Sequence, residues 1–235
     1  MPTTKKTKIA PFSVSYKNSE EFHVLKNEVF TQNAYYFEST NPQPVIIDAG
    51  AHIGLTTLYF KKLFPAAQVI AIEPNPYLLP LFEENMNQNG LADVSLFPVA
   101  LAEESGLKQL FIDQTPDEWW STGSFEDGAW NKQQISKSIE IETVPLTDFL
   151  SRPIDFLKMD IEGAELAVLN AAASKLHVIK QMMIEFHPTG SQQLSQLLEL
   201  LQEAGFVTHI WKDGNEVVEA KRAKGLVYVE AVNRR

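Results

Sequence analysis

The residues with the clearest chemical meaning lie in a glycine-containing turn that follows an apolar run. Residues 45–47 are Val-Ile-Ile, and Asp48, Gly50 and Gly54 come after them in the spacing Asp-x-Gly-x-x-x-Gly. This order is typical of a buried strand that turns tightly into a helix. The first backbone N–H groups of a helix favour an anionic group, and glycine lets the main chain pass close to a ligand. The sequence therefore predicts a ligand site at this turn.

A second apolar run, residues 69–72, ends at a carboxylate. Glu73 follows that run directly, and Pro74 and Asn75 come next. A carboxylate at the end of this strand is placed to accept both hydroxyls of a ribose. His52 stands where a dinucleotide fingerprint needs its second glycine. The two motifs together favour S-adenosylmethionine over a nicotinamide dinucleotide.

Charged residues also lie in or directly after two later apolar strands. They are Lys158, Asp160 and Glu162 at one strand, and Glu185 and His187 at the end of the next. Histidine titrates near neutral pH and suits general-base chemistry, as does a nearby carboxylate. An unpaired ammonium is disfavoured inside an apolar strand, so Lys158 is expected to pair with a carboxylate, at the site or structurally. Asp160, Glu185 and His187 also suit a divalent cation, but the spacing demands none and no metal is expected.

The rest of the pattern predicts a frame that brings these strand ends together. Apolar strands alternate with amphipathic helices from residue 45 onward, which indicates a parallel sheet covered by helices on both faces. The last two strands, 206–211 and 226–231, flank the turn at 213–215 with no helix between them. This arrangement predicts a hairpin, and therefore one antiparallel strand at that end of the sheet. Ligands in such sheets bind beyond the carboxyl ends of the strands. The acidic residues fall at these ends.

An insertion at about 105–145 interrupts the alternation. Residues 107–112 and 139–144 predict a pair of extra strands, while 94–99 reads as one strand of the main sheet. Trp119 and Trp120 lie in the polar stretch between the extra strands, which suggests a lid over a substrate.

The sequence predicts an N-terminal segment followed by one main domain. Residues 1–44 form an N-terminal segment that is loose to about residue 17, with a helix capped by Ser19, and 45–235 form the main domain.

Composition narrows the function further. The 235 residues include no cysteine, which excludes disulfides, thiolate metal sites and cysteine nucleophiles. A formal charge of −10 argues against nucleic acid as a partner. We find neither an apolar run long enough to span a membrane nor a signal-peptide core, so a cytoplasmic location is expected. A small neutral or cationic substrate fits best, and self-association stays open.

Several segments resemble the FkbM-type methyltransferases, in the order that this family has. They are residues 48–54, Glu73-Pro74-Asn75, Pro98-Val99-Ala100-Leu101, the Lys-x-Asp-x-Glu-Gly-x-Glu segment 158–165, and 184–187. The resemblance covers roughly residues 45–210. One position departs from the family, which usually has Asn in place of His52. The resemblance implies a Rossmann-like class I methyltransferase fold, an α/β architecture with a mostly parallel seven-stranded sheet.

The resemblance also implies roles for individual residues. Asp48 and the Gly50–Gly54 turn hold the methionine end of S-adenosylmethionine, which leaves as S-adenosylhomocysteine. Ala100 and Leu101 lie against the adenine, and Asp160 and Glu162 lie beside the transferable methyl group. Methylation of oxygen is expected, because the Pro-Pro-aromatic motif of many nucleic-acid amine methyltransferases is missing after Asp160.

The implied acceptors are hydroxyl groups of sugars, glycolipid saccharides, and polyketide or peptide natural products. The base stays open among Asp160, Glu162, Glu185 and His187. Two alternatives remain at this point: a nicotinamide-dependent oxidoreductase and a catalytically idle cofactor-binding protein.

Overall fold

The structure, a computed structural model, describes residues 3–113, 123–127, 136–190, 192–219, 223 and 225–234. In chain order its strands are β1 (Lys5–Ile9), β2 (Phe12–Tyr16), β3 (Val45–Ala49), β4 (Gln68–Ile72), β5 (Val94–Phe97), β6 (Ala100–Ala102), β7 (Gly106–Asp113), β8 (Gly123–Ser124), β9 (Ser136–Pro145), β10 (Ile154–Met159), β11 (Ile179–Phe186), β12 (Phe206–Lys212), β13 (Asn215–Glu216) and β14 (Val227–Asn233). Its α-helices are α1 (Ser19–Lys26), α2 (Leu55–Leu63), α3 (Leu79–Gln88), α4 (Glu165–Ala171) and α5 (Leu194–Glu203).

The main sheet confirms the predicted α/β class. Its strand order is β13-β12-β14-β11-β10-β3-β4-β5. The strands from β11 to β5 run parallel, whereas β14 is antiparallel to both β11 and β12. Seven strands correspond to the prediction, and the two-residue β13 is added at one edge.

Helices cover both faces of this sheet because neighbouring strand residues point to opposite sides. Ile46 and its neighbour strand's Phe156 pack with Tyr59 of α2 on one face. Ile47 packs with Leu169 of α4 on the other. None of the helices within the described residues is long and apolar enough to cross a bilayer.

The insertion forms a second sheet with the order β6-β9-β7-β8. The whole of β7 pairs antiparallel with residues 136–143 of β9, which confirms the predicted extra pair. The single strand expected at 94–99 is wrong: β5 ends at Phe97 and β6 begins at Ala100 in the other sheet. Pro98 lies between them and has no N–H to donate to a ladder. Trp119 and Trp120 lie outside the described residues, so the lid stays a prediction.

The N-terminal segment is more ordered than expected. Residues 5–16 form an antiparallel hairpin, so the expectation of a loose tail to about residue 17 is wrong. Buried Val14 packs into the core, and Ser15 N donates to Asn85 Oδ1 on α3 at 2.7 Å. Helix α1 is capped by the Asn18 side chain, not by Ser19. A π-helical turn over Asn27–Thr31 continues the helix.

Candidate functional site

A cavity of about 360 Å³ lies at the carboxyl ends of the central strands. Most of the predicted site residues line it: Gly50, His52, Glu73, Pro74, Asn75, Ala100, Leu101, Asp160, Glu162, Glu185 and His187. Asp48, Gly54 and Lys158 do not line it. Helix α1 and the insertion complete the wall, through Leu25 and Phe125 among others. The parallel sheet thus brings acidic residues far apart in sequence to one site.

Glu73 is held rigidly in the cavity wall. Its Oε2 accepts a hydrogen bond from the backbone N–H of His52 at 2.8 Å, and its Oε1 accepts one from Asn75 N–H at 2.8 Å. The side chain is only 5% exposed. Burial raises the pKa of Glu73, while the hydrogen bond from Asn75 opposes that rise. Each carboxylate oxygen can accept a further hydrogen bond, so the group is oriented to receive two hydroxyls.

The two glycines of the first motif serve close packing of the chain. Gly50 has a φ of +77°, and a Cβ there would lie 1.8 Å from the carbonyl oxygen of Asp160. A Cβ at Gly54 would lie 2.7 Å from Met86 Cε on α3. The chain itself packs closely at both glycines, and their contact with a ligand stays a prediction. They fix the turn against β10 and α3.

Asp48 and Lys158 form a buried pair under the cavity. Their strands pair in register, so the two residues lie side by side, with Lys158 Nζ 3.7 Å from Asp48 Oδ1. Asp48 Oδ2 accepts hydrogen bonds from the Thr56 and Thr57 hydroxyls at 2.7 and 2.6 Å. Burial raises the pKa of Asp48, although Lys158 opposes this. The structure therefore places Asp48 beneath the predicted cofactor site, where it anchors the start of α2.

Lys158 connects the two halves of the site. Its ammonium donates to the carbonyl oxygens of Ala49 and Gly50 at 3.1 and 2.6 Å and lies 3.3 Å from Asp160 Oδ2. Burial alone would lower the pKa of Lys158, but Asp160 and Asp48 raise it above its usual value. A permanently charged lysine of this kind holds the glycine turn and Asp160 together. The pairing with a carboxylate that both sequence interpretations expected is present, and the role of Lys158 at the site stays a prediction.

His187 is surrounded by carboxylates. Its Nδ1 contacts Glu165 Oε1 at 3.0 Å, and Glu165 is fully buried. Its Nε2 lies 3.6 Å from Glu162 Oε2, 3.7 Å from Glu185 Oε1 and 4.0 Å from Asp160 Oδ1. Burial alone would lower the pKa of His187, but the hydrogen bond to Glu165 and the nearby carboxylates raise it to about 10. A protonated imidazole donates hydrogen bonds and does not act as a base.

Glu162 and Glu185 face this histidine from different elements. Glu162 has a φ of +56°, unusual for a non-glycine residue, and its carbonyl accepts from the Ser124 hydroxyl of the insertion at 3.0 Å. Burial raises the pKa of Glu162 well above its usual value, against the charge of His187. Burial and the charge of Asp160 raise the pKa of Glu185 to about 8. Both shifts favour the neutral carboxyl group, and a cation bound beside Glu162 and Glu185 would favour the charged form.

Sequence patterns missed the partners of these carboxylates. Tyr35 donates to Glu185 Oε2 at 2.7 Å, and Glu28 lines the cavity and accepts from Tyr228 at 2.7 Å. Both Tyr35 and Glu28 come from the N-terminal segment, where no motif marks them. In the structure, Glu28 lies on a π-helical turn, and such turns are often found at functional sites.

His52, the departure from the family pattern, links the cofactor turn to α1. Its Nε2 lies 3.0 Å from Glu21 Oε1, and both side chains are largely buried. Burial alone would lower the pKa of His52, but the charge of Glu21 raises it. The backbone N–H of His52 meanwhile holds Glu73. The imidazole therefore connects the N-terminal helix to the residues that hold Glu73.

Proteins with a similar sequence are named methyltransferases. The family model described as "Methyltransferase FkbM domain" matches residues 48–208. Methyltransferase sdnD of Sordaria araneosa is 26% identical over 215 residues, which are 79% of this chain and 82% of that protein. 2-O-methyltransferase NoeI of Sinorhizobium fredii is 28% identical over 68% of this chain and 72% of its own length.

Solved structures share the fold. A methyltransferase FkbM from Methylobacillus flagellatus superposes with a TM-score of 0.53 at 16% identity, over 84% of this chain and 47% of that chain. M. jannaschii TYW2 in complex with AdoMet gives a TM-score of 0.50 at 14% identity, over 98% of this chain and 85% of that one. These likenesses show a class I methyltransferase fold. Because the family model covers more than half of the residues, this chain belongs to the FkbM methyltransferase family.

Proposed function

We propose that this protein transfers a methyl group from S-adenosylmethionine to a hydroxyl oxygen of a small molecule, sugar or natural product. The observation that carries the proposal is that Glu73 and the carboxylates around His187 line one cavity. The Glu73 carboxylate suits the hydroxyls of a ribose. The carboxylates around His187 suit a cation next to an oxygen nucleophile. The relative NoeI is named a 2-O-methyltransferase, which supports oxygen as the acceptor atom.

The wall residues fit the proposed cofactor. Glu73 presents an oriented carboxylate for the two ribose hydroxyls, and buried Ala100 and Leu101 offer an apolar surface for the adenine. Asp160 and Glu162 lie in the same wall and suit a positively charged sulfonium. When bound, the cofactor supplies a methyl group on sulfur that is already activated to leave. The task left to the protein is alignment, and the removal of one proton.

We place the acceptor beside α1 and the residue that precedes β14. Val24 and Leu226 line the cavity and are 46% and 44% exposed, so they form an apolar rim beside Glu28. This rim supports an acceptor whose hydroxyl lies next to an apolar surface. The net charge of −10 supports a small-molecule acceptor over nucleic acid.

Proton removal falls to a carboxylate in this arrangement. Transfer forms a bond between the acceptor oxygen and the methyl carbon, breaks the carbon–sulfur bond, and leaves a neutral thioether. The hydroxyl proton must go to a base, and His187 is charged through its contact with Glu165. Asp160, Glu162 or Glu185 is then the acceptor of that proton; burial raises the pKa of Glu162 and Glu185, so these two act as a base once the bound sulfonium favours their charged form. The same negative groups favour the sulfonium before transfer.

Two measurements test the proposal together. Calorimetry should show binding of S-adenosylhomocysteine and no binding of NADH, which separates methyl transfer from the oxidoreductase alternative. Purified protein should then methylate members of a panel of hydroxylated acceptors, with radiolabel from the cofactor recovered in an ether product. Binding without turnover across a broad panel would support the idle cofactor-binding protein. Absence of binding would overturn the proposal.

A further inference from the structure

We propose that Asp160, Glu185 and His187 form a binding site for one divalent metal ion of the hard kind, such as Mn²⁺ or Mg²⁺. Its use in holding the acceptor hydroxyl rests on the proposed function; the ion site itself does not. No motif in the sequence demands this site. The contacts around the three side chains carry the inference.

The first support is the spacing of the facing atoms. His187 Nε2 lies 3.7 Å from Glu185 Oε1 and 4.0 Å from Asp160 Oδ1, and the ligand atoms all lie within 4.8 Å of one another. These separations exceed hydrogen-bond length. Ligands at about 2.1 Å from an octahedral ion lie about 3.0 Å apart when adjacent and about 4.2 Å apart when opposite. The two separations from His187 Nε2 fall between these values, so this nitrogen and either carboxylate oxygen lie at distances that ligands of one ion adopt.

The second support is that each side chain is held by its other polar atom. Tyr35 donates to Oε2 of Glu185 at 2.7 Å, and Lys158 lies 3.3 Å from Oδ2 of Asp160. Glu165 contacts Nδ1 of His187 at 3.0 Å. These outer contacts turn Oε1, Oδ1 and Nε2 toward a common point. Outer partners that orient ligands in this way are the rule around protein-bound metals.

The histidine is oriented most firmly. Glu165 is fully buried, and its second oxygen, Oε2, accepts a hydrogen bond from Gln192 Nε2 at 2.6 Å. Gln192 Nε2 also donates to the carbonyl of His187 at 2.5 Å. A carboxylate that contacts one imidazole nitrogen while the other nitrogen faces the ligand site is the arrangement that commonly presents histidine to a metal. The ion would replace the Nε2 proton, because only a neutral imidazole nitrogen binds a metal.

The ligand set indicates the type of ion. Two carboxylate oxygens and one imidazole nitrogen leave several coordination positions for water or substrate oxygen. The sequence contains no cysteine, so soft thiolate coordination is excluded. Carboxylate and water ligands suit Mg²⁺ and Mn²⁺. At the cavity wall such an ion could bind the acceptor hydroxyl and lower its pKa, which would ease loss of the proton.

Mn²⁺ binding to the full-length, chelator-treated protein tests the site. Calorimetry should show one saturable site, and electron spin echo spectra of bound Mn²⁺ should show coupling to an imidazole nitrogen. His187→Gln should abolish that coupling, and Asp160→Asn and Glu185→Gln should each weaken binding at least tenfold. The matched control is His209→Gln, which removes an exposed histidine whose Nδ1 contacts Glu216 at 2.7 Å. The wild-type protein alone decides the question. Either saturable Mn²⁺ binding without nitrogen coupling or no Mn²⁺ binding at all overturns the proposal.

A second set of measurements separates this inference from the proposed function. If S-adenosylhomocysteine binds and methyl transfer continues unchanged in EDTA, the use of the ion in holding the acceptor hydroxyl is wrong and the proposed function stands. If Mn²⁺ binds through His187 but S-adenosylhomocysteine does not bind, the proposed function is wrong and the metal site stands. Loss of turnover in EDTA and its return with Mn²⁺ supports both. Circular dichroism of each variant checks that the fold is retained.

Discussion

Gly50 lies directly against the carbonyl oxygen of Asp160, at a place where a Cβ would come within 1.8 Å of that oxygen. The two residues belong to different halves of the candidate site, the turn after β3 and the end of β10. Lys158 bonds the carbonyl of Gly50 and the carboxylate of Asp160 at the same time. Lys158 therefore links the turn to the acidic strand end, and under the proposed function this link holds the cofactor side and the acceptor side of the cavity together.

This contact predicts a large loss of stability for Gly50→Ala. The matched control is Gly90→Ala, because Gly90 also has a positive φ, of +65°, but no atom lies within 4 Å of its would-be Cβ. Strain alone should cost Gly90→Ala about 1–2 kcal/mol. Gly50→Ala should lose about 4 kcal/mol or more, or fail to fold, because backbone must also shift. Urea unfolding measures both, and equal losses would contradict the contact.

Replacing Glu73 tests the ribose role. Glu73→Ala should weaken S-adenosylhomocysteine binding about 10- to 100-fold, since hydrogen bonds to a charged group contribute about 1.5–3 kcal/mol each. Some stability should also be lost, because the backbone N–H groups of His52 and Asn75 lose their acceptor. Calorimetry gives the affinity. Glu84→Ala removes one equal charge from a partly exposed ion pair with Lys6 and should leave the affinity unchanged. Unchanged affinity in Glu73→Ala would remove Glu73 from the site.

The sequence predicts the frame of the site better than its internal contacts. The strand predicted at 206–211 is found at Phe206–Lys212, and Asp160, Glu185 and His187 meet because parallel strands end at one edge. Periodicity shows which face of an element is buried, but not which partner it meets. The sequence pattern of residues 1–44 therefore did not predict the hydrogen bond from Tyr35 to Glu185.

Asp48 shows a second limit. An acidic residue before a glycine turn looks the same in sequence whether it meets a ligand or the next helix. In the structure the turn is so tight that the hydroxyls of Thr56 and Thr57 lie within hydrogen-bond distance of the Asp48 carboxylate. The hairpin at 5–16 was missed for a similar reason, since it depends on Asn85, distant in sequence.

Glu165 should act on turnover through His187. Glu165→Gln removes the charge that orients the imidazole, so kcat should fall about 10- to 100-fold, the usual effect of losing an outer carboxylate. The affinity for S-adenosylhomocysteine should change much less, because Glu165 does not line the cavity. A purely structural role would lower both quantities together. Glu216→Gln, at the exposed contact with His209, controls for the loss of a His–Glu contact. Turnover equal to that of the wild type would exclude the positioning role.

His52 predicts a pH-dependent contribution to stability. The folded state raises its pKa, because Glu21 lies 3.0 Å from Nε2, so folding favours the protonated imidazole. The stabilisation should be complete below the unfolded pKa of about 6.5 and disappear as the pH rises through the higher folded pKa. His52→Asn removes the imidazole while keeping a residue type that tolerates the φ of +52° at this position.

Compared with the wild type, His52→Asn should therefore lose most stability at pH 5.5–6 and progressively less toward pH 9. Urea unfolding across this range measures the difference, and His209→Asn supplies the reference for removing a histidine elsewhere. Glu21→Gln should produce the same pH dependence, because it removes the other charge of the pair. A difference between wild type and His52→Asn that stays constant with pH would show that the ion pair with Glu21 does not stabilise the fold.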